Sequence, residues 1–180
     1  VMTGIDSITV GPANNGYAQV YLSNTTKPRS VFCMEAIGGS TLVLNPVAVL
    51  NSDIRIANWE LNAIPSNPAD LVGRRFIICI LAGANDLQPN YSGDVDAYLT
   101  ALWGVTDQLR TRGAWLGIST ILPKGTSQSG YIVHNAARAV ANPIIRSQLG
   151  IKYDFLYDFA ANPVMGPDAA ANDVLLYSDG

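Results

Sequence analysis

Arg75-Phe76-Ile77-Ile78-Cys79-Ile80-Leu81-Ala82 is the most informative stretch of the 180-residue chain. Seven apolar residues run unbroken from Phe76 to Ala82, and Gly83 follows at once. A strand with one wet face alternates apolar and polar residues. This one does not, so it reads as a central parallel strand covered on both sides. Working outward, apolar runs of strand length occupy residues 1–5, 31–37, 115–122 and 153–159. Amphipathic segments separate them at 13–23, 46–63, 92–112 and 131–149. The third of these has the clearest helix signals: Ser92 to cap it, Asp94 and Asp96 in the first turn, Arg110 and Arg112 in the last, and Gly113 to end it. Its buried stripe is predicted to be Val95, Tyr98, Leu99, Leu102, Val105 and Leu109. Pro143 is expected to bend or split the fourth segment. Residues 160–180 read as loop. Strand–helix alternation predicts an α/β fold, a three-layer α/β/α flavodoxin-like sandwich with a five-stranded parallel sheet.

Composition excludes several classes of function. Hydrophobic residues make up 48% of the chain and charged residues 14%, against a usual charged share of about 25%, so the chain is not intrinsically disordered. No apolar run approaches the roughly 20 residues of a membrane-spanning helix. Net charge is −3 and the 11 Lys and Arg residues are scattered. No basic patch therefore marks a nucleic-acid partner. Two Cys and one His are too few for a structural zinc site, and neither a metal nor a cofactor is expected. Cys33 and Cys79 both read as buried strand thiols and not as a disulfide pair. Neither a phosphate-binding loop nor a dinucleotide fingerprint is present. Trp103 and Trp115 read as core residues, and Tyr91, beside Asn90, as a residue lining a cleft.

In open α/β sheets, sites form beyond the carboxyl ends of the strands. At those places the chain reads Gly4-Ile5-Asp6-Ser7-Ile8-Thr9-Val10-Gly11, Ile37-Gly38-Gly39-Ser40-Thr41 and Gly83-Ala84-Asn85-Asp86, and it closes with Tyr177-Ser178-Asp179-Gly180. Each has a plain structural reading when taken singly. A Ser after a strand caps a helix, and Gly-Gly and Asn-Asp pairs make turns. Together and in this order they resemble the SGNH hydrolases, the superfamily of GDSL-type esterases and lipases. The resemblance covers essentially the whole chain.

The resemblance implies a flavodoxin-like fold and a serine-based ester hydrolysis. Ser7 would be the nucleophile. The Ser7 and Gly39 backbone N–H groups and the Asn85 side-chain amide would hold the oxyanion, and Asp179 would orient the catalytic imidazole. Asp6, Asp86 and Tyr91 are placed to face substrate. Two positions depart from the family pattern: Ile5 stands where the family has Gly, and the family's catalytic His would fall two positions past Gly180. Residues 1–180 are thus expected to form a single domain that stops just before that His and is crippled or inactive as it stands. His134, the only histidine, reads as a surface or helix-capping bystander.

The chemistry expected is hydrolysis of carboxylic esters, with short acyl groups such as acetyl on a carbohydrate. No long apolar lid suggests a lipid-binding surface. The partner would be a small-molecule or polysaccharide ester, and the setting extracellular or on a cell or virion surface. The alternative is a non-catalytic SGNH-like module that binds glycan or serves a surface or viral assembly, for which Ile5 is the best support.

Overall fold

The computed structural model describes residues 2–3, 33–34, 41–43, 77–90 and 93–173. Among these residues lie five strands: β1 (Met2–Thr3), β2 (Cys33–Met34), β3 (Ile77–Ile80), β4 (Trp115–Ser119) and β5 (Phe155–Tyr157). They lie in the order β2-β1-β3-β4-β5, and every neighbouring pair is parallel. Two 17-residue helices are described, α1 (Val95–Thr111) and α2 (Tyr131–Ser147). Short 3-10 turns follow at Phe159–Ala161 and Asp168–Asn172. This is the doubly wound α/β order in which the switch point falls between β1 and β3. The expected segments 13–23 and 46–63 lie outside the described residues.

The apolar run, described from Ile77 to Ala82, holds the middle strand of the sheet, as its composition demands. Ile78 and Ile80 are buried, and so are their neighbours across the sheet, Leu116 and Ile118. Tyr98, Leu102, Val105 and Leu109 of α1 pack into the same core, with Ala141 and Ile145 of α2. The stripe predicted for α1 is the buried one, with Thr106 added and Val95 at its margin. The cap differs. Asp94, not Ser92, is the N-cap, and its carboxylate accepts from the Asp96 and Ala97 N–H groups at 2.9 and 3.1 Å. Ser92 lies outside the described residues.

Pro143 does not split α2, which runs through it as one helix. The more informative feature of α2 is that its polarity is reversed. His134, Arg138 and Asn142 are buried, while Ile132 and Val140 are exposed. Periodicity alone would have turned the helix the other way. Trp115 is likewise 41% exposed and not in the core, meeting Phe155 in a tilted ring contact with centroids 5.7 Å apart.

Cys33 and Cys79 are separated by β1, since Met2 pairs with both Cys33 and Ile78. Two strand spacings, roughly 9–10 Å, exceed the about 7 Å limit for bridged Cα atoms. Cys79 is a free thiol whose sulfur lies 3.2 Å from the Tyr157 hydroxyl.

Candidate active site

The carboxyl ends of β2, β1 and β3 lie side by side, because Thr3 is paired with both Met34 and Cys79. The chain leaving β3 is described in full. Gly83 begins a tight turn in which the Leu87 N–H donates to the Gly83 carbonyl (3.1 Å) and the Gln88 N–H to the Asn85 carbonyl (3.0 Å). Gly83 has φ +108°, a conformation that L side chains rarely adopt, and a Cβ there would lie 2.8 Å from Tyr98 Cζ and 2.9 Å from Ile121 Cδ1. Tyr98 is fixed in place, its hydroxyl donating to the Ala82 carbonyl at 3.1 Å. Backbone strain and overpacking together make Gly83→Ala costly. It is expected to destabilise the fold by about 2–4 kcal/mol, as read by urea denaturation. A loss under about 1 kcal/mol would show that the turn relaxes freely.

The next residues divide in role. Asn85 is half-buried. Its Oδ1 accepts from Gln88 Nε2 at 3.1 Å, and the same Nε2 donates to the Ala84 carbonyl at 3.1 Å. Asp86 is 1% exposed, and its Oδ1 accepts from the Leu42 and Val43 N–H groups, both at 2.8 Å. It was expected to face substrate. Instead it ties the turn after β3 to the segment 41–43, just beyond the Gly38-Gly39 pair. Burial pushes its carboxyl up to about 6, against the partial relief of those backbone N–H bonds.

A second polar network closes the neighbouring strand end. β4 was expected to continue to residue 122 but stops at Ser119; the Thr120 N–H still donates to the Tyr157 carbonyl (3.1 Å), and from Ile121 on side chains of α2 take over the backbone. The Asn142 amide accepts from the Ile121 N–H (2.8 Å) and donates to the Ile121 carbonyl (3.0 Å). The Asn135 amide does the same for Lys124, at 2.9 and 3.0 Å. Each amide stands in for a neighbouring peptide group. His134 belongs to this clamp. It is fully buried, and its Nε2–H donates to the Leu122 carbonyl at 3.0 Å. A carbonyl only accepts, so the proton sits on Nε2. Burial drives the imidazole down to about 4, helped by nearby Lys124 and Arg138. The ring is therefore neutral at pH 7. The sequence reading of a surface or capping residue is corrected here: His134 is a core group, and its polar neighbours explain why α2 turns its polar face inward. Arg138 carries the clamp on, donating to the Gly166 carbonyl (3.0 Å) and pairing with Asp168.

A GDSL-like lipase from Bacteroides thetaiotaomicron superposes with a TM-score of 0.61 over 93% of this chain and 71% of its own, at 12% identity. The chain has the SGNH hydrolase fold. An acetyl xylan esterase superposes with a TM-score of 0.58 over 88% of this chain and 77% of its own, at 16% identity. A family two carbohydrate esterase from Clostridium thermocellum, solved with cellohexaose, does so at 0.53 over 88% of this chain and 53% of its own, at 17% identity. No family sequence model and no curated protein matches the chain.

Within the SGNH fold, the structure brings together the turn 83–88 and the segment 41–43. Ser7, Asp6, Gly39, Tyr91 and Asp179 lie outside the described residues. Gln88 was not anticipated from sequence. The one available signal was its place three residues after Asn85, within reach of the side chain of a residue in the same turn. Among the described residues, no group of three or more His, Cys, Asp and Glu side chains could hold a metal ion. Among those residues, too, no helix is long and apolar enough to cross a membrane.

Proposed function

We propose that this chain is a serine esterase that hydrolyses carboxylic esters, with short acyl groups such as acetyl on a carbohydrate as its substrates. One observation carries the reading: in an SGNH hydrolase fold, Gly83-Ala84-Asn85-Asp86 forms a braced turn at the carboxyl end of β3, with Asn85 half-exposed. The proposed frame is the full flavodoxin-like, three-layer sandwich with a five-stranded parallel sheet. The likeness to an acetyl xylan esterase and a carbohydrate esterase supports the choice of substrate. A low charged content of 14% and a polysaccharide ester fit an extracellular or surface setting, that of a cell or a virion.

In the proposed mechanism the Ser7 hydroxyl attacks the ester carbonyl carbon and passes its proton to an imidazole base. The resulting oxyanion is held by the Ser7 and Gly39 N–H groups and the Asn85 Nδ2–H. Collapse expels the alcohol, which takes the proton from the imidazolium. Water then repeats the sequence on the acyl-serine and releases the acid. Asp179 orients the imidazole. His134 cannot take that part: its Nε2 proton is committed to Leu122 and the ring is buried.

Hydrolysis of p-nitrophenyl acetate and acetylated xylan by the full-length protein, with Ser7→Ala as control, tests the reading. Turnover that depends on Ser7 supports it. No turnover returns the chain to a non-catalytic glycan-binding module, and turnover indifferent to Ser7 overturns the serine mechanism.

A further inference from the structure

We infer that Gln88 is a positioning residue that decides which edge of the Asn85 amide faces the reacting carbonyl. This rests on Asn85 serving as an oxyanion donor. The two ends of an amide are nearly the same size, so shape alone does not tell its NH2 from its oxygen. The hydrogen-bond partners do. The Ala84 carbonyl has lone pairs and no proton, so the Gln88 atom 3.1 Å from it is the amino nitrogen. That same nitrogen lies 3.1 Å from the Asn85 side chain, so the Asn85 atom facing it is the oxygen. The Asn85 amino group therefore occupies the opposite edge of the amide plane. Turning Asn85 over would set its NH2 against the Gln88 NH2, donor against donor. The polarity thus passes in one direction, from a backbone carbonyl through Gln88 to Asn85, and ends with an N–H donor on the far edge.

The bracing is local on both sides. Gln88 is held in the turn by its own N–H to the Asn85 carbonyl (3.0 Å). Asp86, next in sequence to Asn85, is tied to the 42–43 backbone. The turn is therefore rigid where the amide must be rigid, as electrostatic preorganisation requires.

The inference makes the polarity of residue 88 the controlling property, and size and charge secondary. Gln88→Glu places an acceptor against the Asn85 oxygen and the Ala84 carbonyl, which releases or reverses the amide. Gln88→Lys keeps a donor that can reach both. In the full-length protein, Gln88→Glu is expected to lower kcat by about 10- to 100-fold with KM within about threefold, because the donor acts on the oxyanion and not on the bound ester. Gln88→Lys is expected to keep kcat within about threefold of wild type. Gln88→Met, which removes the donor without adding charge, is expected to follow Glu, and it decides the matter if the Glu variant does not fold. Melting temperatures of all three separate loss of fold from loss of chemistry. If Glu, Met and Lys variants are alike in kcat while Ser7→Ala and Asn85→Ala are impaired as expected, the inference about Gln88 is overturned and the esterase reading stands. If Ser7→Ala turns over as wild type does, the esterase reading fails and takes this inference with it.

Discussion

Ser7→Ala is expected to lower kcat on p-nitrophenyl acetate by about 10⁴-fold or more in the full-length protein. The proposed reaction forms a covalent bond to Ser7 Oγ, and alanine has no atom to replace it. Asn85→Ala is expected to lower kcat by a smaller factor, about 10²–10³-fold, because it removes one of three oxyanion donors and leaves the nucleophile in place. In both variants KM should move little, since the lost interactions arise after the ester has bound. The double variant should be no worse than Ser7→Ala alone: residues that act as one catalytic unit do not contribute independently. Steady-state kinetics on the four proteins read all of this together. An Asn85→Ala variant with unchanged kcat would remove the amide from the oxyanion site whatever Ser7 does.

The second expectation concerns stability, and its sign is specific. Asp86 and His134 are both buried, and burial shifts them in opposite directions: the carboxyl from 3.8 up to about 6, the imidazole from 6.5 down to about 4. The folded protein binds the Asp86 proton more tightly than the unfolded chain does. That contribution to stability is present below pH 3.8 and is lost as pH rises through about 6. The folded protein binds the His134 proton less tightly. That contribution is present above pH 6.5 and is lost as pH falls toward 4. Each is worth about 3 kcal/mol over its window, at roughly 1.4 kcal/mol per pH unit. In wild type the two oppose each other between pH 4 and 6. Asp158, held below its ordinary range by Arg146 at 2.8 Å, titrates beneath that window.

Replacing either group by a neutral isostere should expose the other. Asp86→Asn keeps an oxygen for the Leu42 and Val43 N–H groups. Relative to wild type, its unfolding free energy should climb by about 3 kcal/mol on going from pH 4 to 6. His134→Gln keeps a donor for the Leu122 carbonyl, and its unfolding free energy should fall by about 3 kcal/mol over the same interval. Urea denaturation at pH 4, 5 and 6 measures both slopes. Single variants that run parallel to wild type would show that neither group titrates differently in the folded state.

Much of the frame was legible in the chain because it depends on local pattern. Seven apolar residues from Phe76 to Ala82, closed by Gly83, fit a strand dry on both faces, and α1 buries the side of its surface that its periodicity marked. Gly83-Ala84-Asn85-Asp86 could be placed at a strand end because Gly interrupts the apolar run there. What each of those residues does was less legible. Asp86 looked like a residue for substrate, yet its carboxylate serves two backbone N–H groups 43 and 44 positions earlier in the chain. No local rule joins positions so far apart.

The sharpest contrast is between β3 and α2. The apolar run of β3 carries its own instruction, since seven consecutive apolar side chains lose contact with water only in the interior of the protein. The polarity of α2 carries none that could be followed alone. His134, Asn135, Arg138 and Asn142 form one side of the helix, and a helix read by itself turns such a side to water. Only the folded chain supplies the reason to bury it: from Ile121 to Lys124 the backbone runs on past its last bond to β5, and these side chains pair with its N–H and carbonyl groups. The amino-acid sequence by itself determined the apolar surfaces that had to be buried. The tertiary structure decided which polar groups were buried with them, because an unpaired peptide group inside the protein costs more than a paired side chain does.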